Sequence, residues 1–275
     1  MNIAITGASG FIGRHLLKSL AQAGHSPRAL SRHAPLVESD VVIHLAGEPV
    51  AQRWTSAARQ RILESRVAGT RNLVQALARL PRKPEALICA SAIGYYGSRG
   101  DEILTESSAP GSGFLPEVCV AWEREAQAAE AFGIRVVRVR TGIVLDAHGG
   151  ALARMLPPFR MGVGGRLGSG RQWMSWIHLE DLVGLFQFAV ESQVRGPLNA
   201  VAPNPVTNLD FTRELAHALR RPALFPVPEF ALRLLFGEMA AVLLASQRIA
   251  PGAAGAAGFP FRFPQLPPAL ADLLR

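Results

Sequence analysis

The stretch Gly7-Ala8-Ser9-Gly10-Phe11-Ile12-Gly13 follows the apolar run "NIAIT" and leads into "RHLLKSLAQAG". Leu16, Leu17 and Leu20 repeat at helical spacing, and Gly24 is a natural helix stop. The unit is strand, glycine turn, helix. Glycine is needed where a backbone turns sharply and where a bulky anion must approach the chain. The helix start then offers free N–H groups and a partial positive charge. A G-x-x-G-x-x-G turn in this setting points to a pyrophosphate cradle and to a parallel α/β fold.

The rest of the chain keeps that rhythm. "PRALSR" reads as a second strand, and "DVVIHLAG" as a strand buried on both faces. A long helix is expected from Thr55 to Ala78, capped by Thr55 or Ser56. "ALICAS" is the next strand, Glu117 to Phe132 a helix, and "IRVVRVR" a strand. The expected fold is α/β: a Rossmann-type, doubly wound parallel sheet with a small C-terminal α/β substrate lobe. The dinucleotide-binding domain is expected at 1–150 and 172–202, and the substrate lobe at 151–171 and 203–275. After Gly150 comes the Gly/Pro-rich "LPPFRMGVGGRLGSGRQW". Thr207 with Asp210 opens a capped helix, and the tail "APGAAGAAGFPFRFPQLPP" reads as irregular. Only about eight residues separate the second strand from "DVVIHLAG", too few for a helical crossover plus a strand. The usual third, edge strand is therefore expected to be missing.

Composition narrows the function. The formal charge is +8, yet Lys18 and Lys83 are the only lysines. The arginines, among them Arg14, Arg53, Arg79, Arg140 and Arg220, are scattered, so no nucleic-acid surface is expected. Cys89 and Cys119 are the only cysteines, which excludes a disulfide scaffold. No basic-then-apolar leader precedes the first strand, and "FALRLLFGEMAAVLLAS" carries Arg233 and Glu238. Neither signal peptide nor membrane association is expected, and a cytoplasmic location follows. No His/Cys/carboxylate spacing suggests a metal site. Oligomeric state is left open.

The second strand ends in Ser31-Arg32 with no acidic residue nearby. A carboxylate there would repel a 2′-phosphate, whereas a hydroxyl and a guanidinium would hold one. The expected cofactor is NADP rather than NAD.

"TGASGFIG", "VVIHLAGE", "SRVAGTRNLVQA", "SAIGYYG", "RTGIVL" and "GSGRQWMSWIHLEDL" together resemble the extended short-chain dehydrogenases/reductases, the epimerase/dehydratase group. "LAGEP", "GYYG", "MLPPFR" and "GSGRQ", with a C-terminal domain near "VPEFALRLLFGEM", resemble its atypical "epimerase family" subgroup. The resemblance covers essentially the whole chain. It implies that Gly7, Ser9, Gly10, Phe11, Ile12 and Gly13 cradle the pyrophosphate, and that Leu45, Ala46 and Gly47 line the cofactor. It also implies that Ala90 and Ser91 sit by the nicotinamide ribose and Val144 near the carboxamide. Arg66 stands where most extended members have asparagine, and would reach a cofactor phosphate or a substrate carboxylate.

The departures are as informative. The superfamily's proton relay is a tyrosine with a lysine four residues later, and neither lysine here stands so. Leu115 and Cys119 occupy those places, Ala92 replaces the usual Ser/Thr, and Met174 replaces an arginine that grips nucleotide sugars in many relatives. The remaining candidates for chemistry are Tyr96, Tyr95, Ser91, Glu48 and Arg171. Tyr95 and Tyr96 are the only tyrosines. Without a lysine, both phenols are expected near their usual pKa of about 10 and to shape the pocket first. His44 and His178 are expected to be structural. The expectation is an NADP(H)-binding oxidoreductase or epimerase-like enzyme acting on an unidentified small molecule. The alternative is a non-catalytic NADP(H)-binding sensor or scaffold.

Overall fold

A computed structural model describes residues 1–31 and 38–275. The chain runs β1 (Asn2–Thr6), α1 (Phe11–Gln22), β2 (Ser26–Leu30), β3 (Val41–His44), α2 (Ser56–Arg79), β4 (Ala86–Ala92) and a 3-10 turn at Ile93–Tyr96. β5 (Ile103–Leu104), α3 (Phe114–Gln127), β6 (Arg135–Thr141), β7 (Ile143–Leu145) and α4 (Gly150–Arg160) follow. Next come β8 (Trp173–Met174), β9 (Trp176–His178), α5 (Leu179–Glu191), β10 (Gly196–Ala200), β11 (Val206–Thr207) and α6 (Asn208–Leu219). α7 (Glu229–Phe236), α8 (Ala240–Leu244), β12 (Arg248–Ile249), α9 (Gly252–Ala256) and α10 (Leu266–Leu273) complete it.

Six parallel strands form one sheet in the order β10-β6-β4-β3-β1-β2. β3 lies beside β1, as the sequence predicts. Successive strand side chains point to opposite faces, and both faces are apolar. Ile3, Ile5, Val41, Ile43 and Ile88 meet Leu16 and Leu20 of α1 and Leu185 and Phe186 of α5. Ala4, Val42, Leu87 and Val136 meet Leu73, Val74 and Leu77 of α2 and Trp122 and Ala126 of α3. Two helical layers therefore enclose the sheet. β2 is its edge: among the described residues no strand pairs outside it. Residues 32–37 of the short connection lie outside the described residues.

The C-terminal part is largely helical, with strands of only two residues. Two breaker-rich stretches contain helix, and for the second the expectation of an irregular tail is corrected. "LPPFR" ends the helix α4, with Pro157 and Pro158 inside it, because Leu152, Leu156 and Phe159 bury one face against α6 and α10. The alanine/glycine tail contains α9, whose Ala254 packs into the main core. Tertiary packing overrides the weak local preference in both cases. Thr55 caps α2 through the Ala58 N–H, and Thr207 caps α6 through the Asp210 N–H, as expected.

Candidate functional site

The glycine turn is built by close approach. Gly7 has φ +70°, and a Cβ there would stand 2.8 Å from the backbone of Leu45 and Ala46. A Cβ on Gly13 would stand 2.5 Å from the Gly7 carbonyl oxygen. The Gly10 N–H donates to that same carbonyl at 3.0 Å. Gly10 is the N-cap of α1, which has no side-chain cap and no acidic residue in its first turn. Its N-terminal N–H groups and dipole end are thus offered to an anion. Ser9 and Gly10 are exposed, while Phe11 and Ile12 pack against the core. The cradle fits a pyrophosphate. Leu45, Ala46 and Gly47 continue from β3 directly beside it. Ser31 is exposed just past β2, and Arg32 lies outside the described residues.

Toward the middle of the sheet, β4 ends in Ala90, Ser91 and Ala92. The Ser91 hydroxyl, buried, donates to Glu123 Oε1 at 2.7 Å. Arg140 of β6 forks the same carboxylate, Nε to Oε1 at 2.8 Å and Nη2 to Oε2 at 2.9 Å. Its Nη1 donates to the Tyr96 hydroxyl at 2.8 Å, and that hydroxyl donates to Asn199 Oδ1 at 2.7 Å. The Tyr95 ring lies 3.5 Å from the Arg140 guanidinium carbon. Tyr96 is fully buried, and burial raises its pKa, only partly countered by Arg140. The expectation of an ordinary phenol is corrected there, because the hydroxyl is desolvated. Burial also works against the Arg140 charge, but the fork onto Glu123 more than offsets it and holds the pKa above the usual arginine value.

Where the superfamily keeps its tyrosine and lysine, Leu115 and Cys119 pack against Gly94. Burial pushes the Cys119 thiol up to about 12, so it remains neutral. Glu48 accepts from Gln52 at 3.2 Å and from Arg61 at 3.5 Å, and its own N–H donates to Ser65. Arg171 is exposed, with its N–H on Ser169. Val144 lies on β7, paired with Ile177 of β9. Arg66 of α2 rests against Gly47 and donates from Nη1 to the Glu48 and Ile62 carbonyls at 2.9 and 3.3 Å.

His44 and His178 each serve local structure. His44 sits between Thr6 at 2.6 Å and Thr70 at 3.0 Å, and burial lowers its pKa to about 4. His178 caps α5 by accepting from the Glu180 N–H. Glu123, Arg140 and Asn199 were not singled out from sequence as site residues. The signal was polar side chains inside buried segments, "WERE", "RVVRVR" and "GPLNAV". A cleft of about 830 Å³ lies elsewhere, between α1, α5 and α10, lined by His15, Lys18, His148, His178 and Arg262 among others. No residue of the glycine turn or of the β3 and β4 ends lines it. Among the described residues no group of side chains could hold a metal ion, and no helix is long and apolar enough to cross a membrane.

Comparison with known proteins agrees with this geometry. Residues 3–201 match the NAD dependent epimerase/dehydratase family, and residues 227–273 match a domain of unknown function, DUF1731. The chain is 39% identical to the epimerase family protein YfhF of Bacillus subtilis, over 100% of this chain and 98% of that one. The crystal structure of human epimerase family protein SDR39U1 (isoform 2) with NADPH is similar at a TM-score of 0.93 and 32% identity, covering 99% of both chains. A nucleoside-diphosphate sugar epimerase from Corynebacterium glutamicum is similar at a TM-score of 0.81 and 36% identity, covering 100% of this chain and 58% of that one.

Proposed function

Because this chain belongs to the NAD dependent epimerase/dehydratase family, we propose that it is an NADP(H)-binding oxidoreductase or epimerase-like enzyme. Its substrate is a small molecule, and it works without the Tyr-x-x-x-Lys relay, in the cytoplasm. The observation that carries this reading is the cradle at the start of α1, where Gly7 and Gly13 leave room that any Cβ would fill. The NADPH named with the human structure supports the choice of cofactor.

Bound along this crevice, the nicotinamide would supply or accept hydride. The chain's own residues do the rest. The α1 N-terminus holds the pyrophosphate, and Ser31 and Arg32 hold the 2′-phosphate. Leu45, Ala46 and Gly47 line the cofactor at the end of β3. The Glu123–Arg140–Tyr96 network fixes the shape of the β4 end, where Ala90 and Ser91 meet the nicotinamide ribose. With Tyr96 buried and Ser91 committed to Glu123, Tyr95, half-buried against Arg140, is the phenol best placed to donate a proton. A phenol can do so without ionising at rest.

The absent relay, with Leu115 and Cys119 in the places of its tyrosine and lysine, favours a second reading, a non-catalytic NADP(H) sensor or scaffold. One experiment separates the two. Purified protein is titrated with NADPH and NADH, then assayed for NADPH oxidation against a panel of carbonyl compounds. Turnover supports the enzyme, and tight NADPH binding with no turnover on any compound supports the sensor. Equal affinity for both cofactors removes the NADP assignment.

A further inference from the structure

The helical C-terminal part keeps a large apolar face in solvent. On α7, Leu232 is buried, while Phe230 and Leu234, one turn apart, point outward. Leu224 and Phe225 stand in the segment just before the helix, and all four side chains are between 59% and 77% exposed. That segment lies against the loop after α4. The Phe225 N–H donates to the Gly164 carbonyl, and a Cβ on Gly162 would stand 3.6 Å from Pro222. The loop brings Met161, 70% exposed, alongside. Single exposed apolar residues are ordinary, but five large ones on adjoining segments mark a docking surface. The charge around them has one sign. Arg160 precedes Met161, and Arg220 and Arg221 precede Pro222. All three are exposed, and their side chains make no ion pair or hydrogen bond among the described residues. The carboxylates of α7 and of the turn after it are already taken, Glu229 by Arg233 at 2.6 Å and Glu238 by Arg59 at 2.9 Å. On these segments the arginines are free and no carboxylate is.

We propose that this face docks on an anionic lipid surface. Its side chains protrude instead of lining a groove, and none of them lines the cleft between α1, α5 and α10. A protruding leucine or phenylalanine needs either a matching pocket or a fluid to enter. The acyl boundary of a bilayer admits it without shape complementarity, and the headgroup phosphates then meet the free arginines. A second copy of the chain fits less well. A two-fold contact sets the same patch against itself, which would bring both sets of free arginines together with no free carboxylate between them. Among the described residues no helix is long and apolar enough to cross a membrane, and contact with its surface requires none. The proposal replaces the expectation of no membrane association and is independent of the cofactor.

The test is co-sedimentation of the full chain with phosphatidylcholine vesicles, either neutral or mixed with phosphatidylglycerol. Three double variants accompany wild type, and melting curves check that each is folded. Phe230→Gln/Leu234→Gln removes the apolar tips from α7. Arg220→Gly/Arg221→Gln removes charge beside them, and glycine suits position 220, where φ is +53°. Arg79→Gln/Arg195→Gln removes the same charge from exposed positions at the end of α2 and before β10. Wild type should bind the anionic vesicles at least tenfold more tightly than the neutral ones, and added salt should weaken the binding. At roughly fivefold per arginine, Arg220→Gly/Arg221→Gln should lose about tenfold or more. The α7 variant should lose as much, and Arg79→Gln/Arg195→Gln far less. Absence of wild-type binding to anionic vesicles, or undiminished binding by the α7 variant, would overturn the proposal. So would equal losses from the two arginine pairs, which would assign the binding to net charge. Analytical ultracentrifugation supplies the remaining outcome: a wild-type dimer that the α7 variant breaks would give this face to a second copy and overturn the lipid assignment.

Discussion

Arg140 and Glu123 form a two-point ion pair in which both side chains are buried, 3% and 4% exposed. The pair joins β6 to α3, and through Ser91 and Tyr96 it also holds the end of β4 and the turn that follows. Its value lies in being complete. Each charge satisfies the other, and Ser91, Tyr96 and the Glu106 carbonyl take up further donors and acceptors around it. Arg138, 3.7 Å from the same carboxylate, keeps a buried Nε without a partner.

Removing one member should therefore cost far more than removing both. Glu123→Gln should destabilise the protein by about 3–5 kcal/mol, because Arg140 keeps its charge and loses its partner. The double variant Glu123→Leu/Arg140→Met should recover most of that loss. Urea denaturation of the three proteins checks this, and an additive double variant would contradict it.

Tyr96→Phe should lower stability by about 1–3 kcal/mol, since Asn199 and Arg140 each lose a buried hydrogen-bond partner. NADPH affinity should be unchanged, and any turnover should fall only modestly. Tyr95→Phe is the companion variant, assayed on whatever substrate the screen identifies. A rate loss of about a hundredfold or more in Tyr96→Phe with binding intact, about 2.7 kcal/mol, would mark that phenol as catalytic instead.

Gly13→Ala should disrupt the cofactor site without touching a ligand directly. Its Cβ would fall 2.5 Å from the Gly7 carbonyl oxygen and 2.6 Å from the Ala8 α-carbon, so α1 must move away from the turn. A tenfold or greater loss of NADPH affinity in fluorescence titration is expected. Wild-type affinity would show that the turn can relax.

His44 makes stability depend on pH. Its folded pKa, about 4, lies below the ordinary value of 6.5, so the unfolded chain takes up a proton more readily. The stability it contributes is complete above pH 6.5 and is lost as pH falls from there toward 4, at about 1.4 kcal/mol per unit and roughly 3 kcal/mol in all. The lowered pKa of His178 acts in the same direction. Denaturation of wild type and His44→Asn at pH 7 and pH 4.5 should show a shallower pH dependence in the variant.

Arg32→Asp should weaken NADPH roughly ten- to a hundredfold and NADH little, the scale of one charge-assisted contact to the 2′-phosphate. Equal losses for the two cofactors would remove Arg32 from that role.

The sequence by itself determined the α/β rhythm, the glycine cradle and the caps at Thr55 and Thr207. These follow from local periodicity and from backbone conformations that few residues can adopt. It also fixed the absence of a tyrosine–lysine relay, which needs only counting. Tertiary structure decided what the remaining polar groups do. Arg140 read as one scattered arginine among many and proved to be the centre of a buried network, because its partners come from residues 17 and 44 positions away. Tyr96 had a pocket-facing motif but a buried hydroxyl. Prolines 157 and 158 argued locally against a helix that burial of Leu152, Leu156 and Phe159 maintains. The Arg66 guanidinium packs between Gly47 and Trp122, which lie far from it in sequence. Hydrogen-bond partners and desolvation are properties of the folded neighbourhood, and no window of sequence contains them.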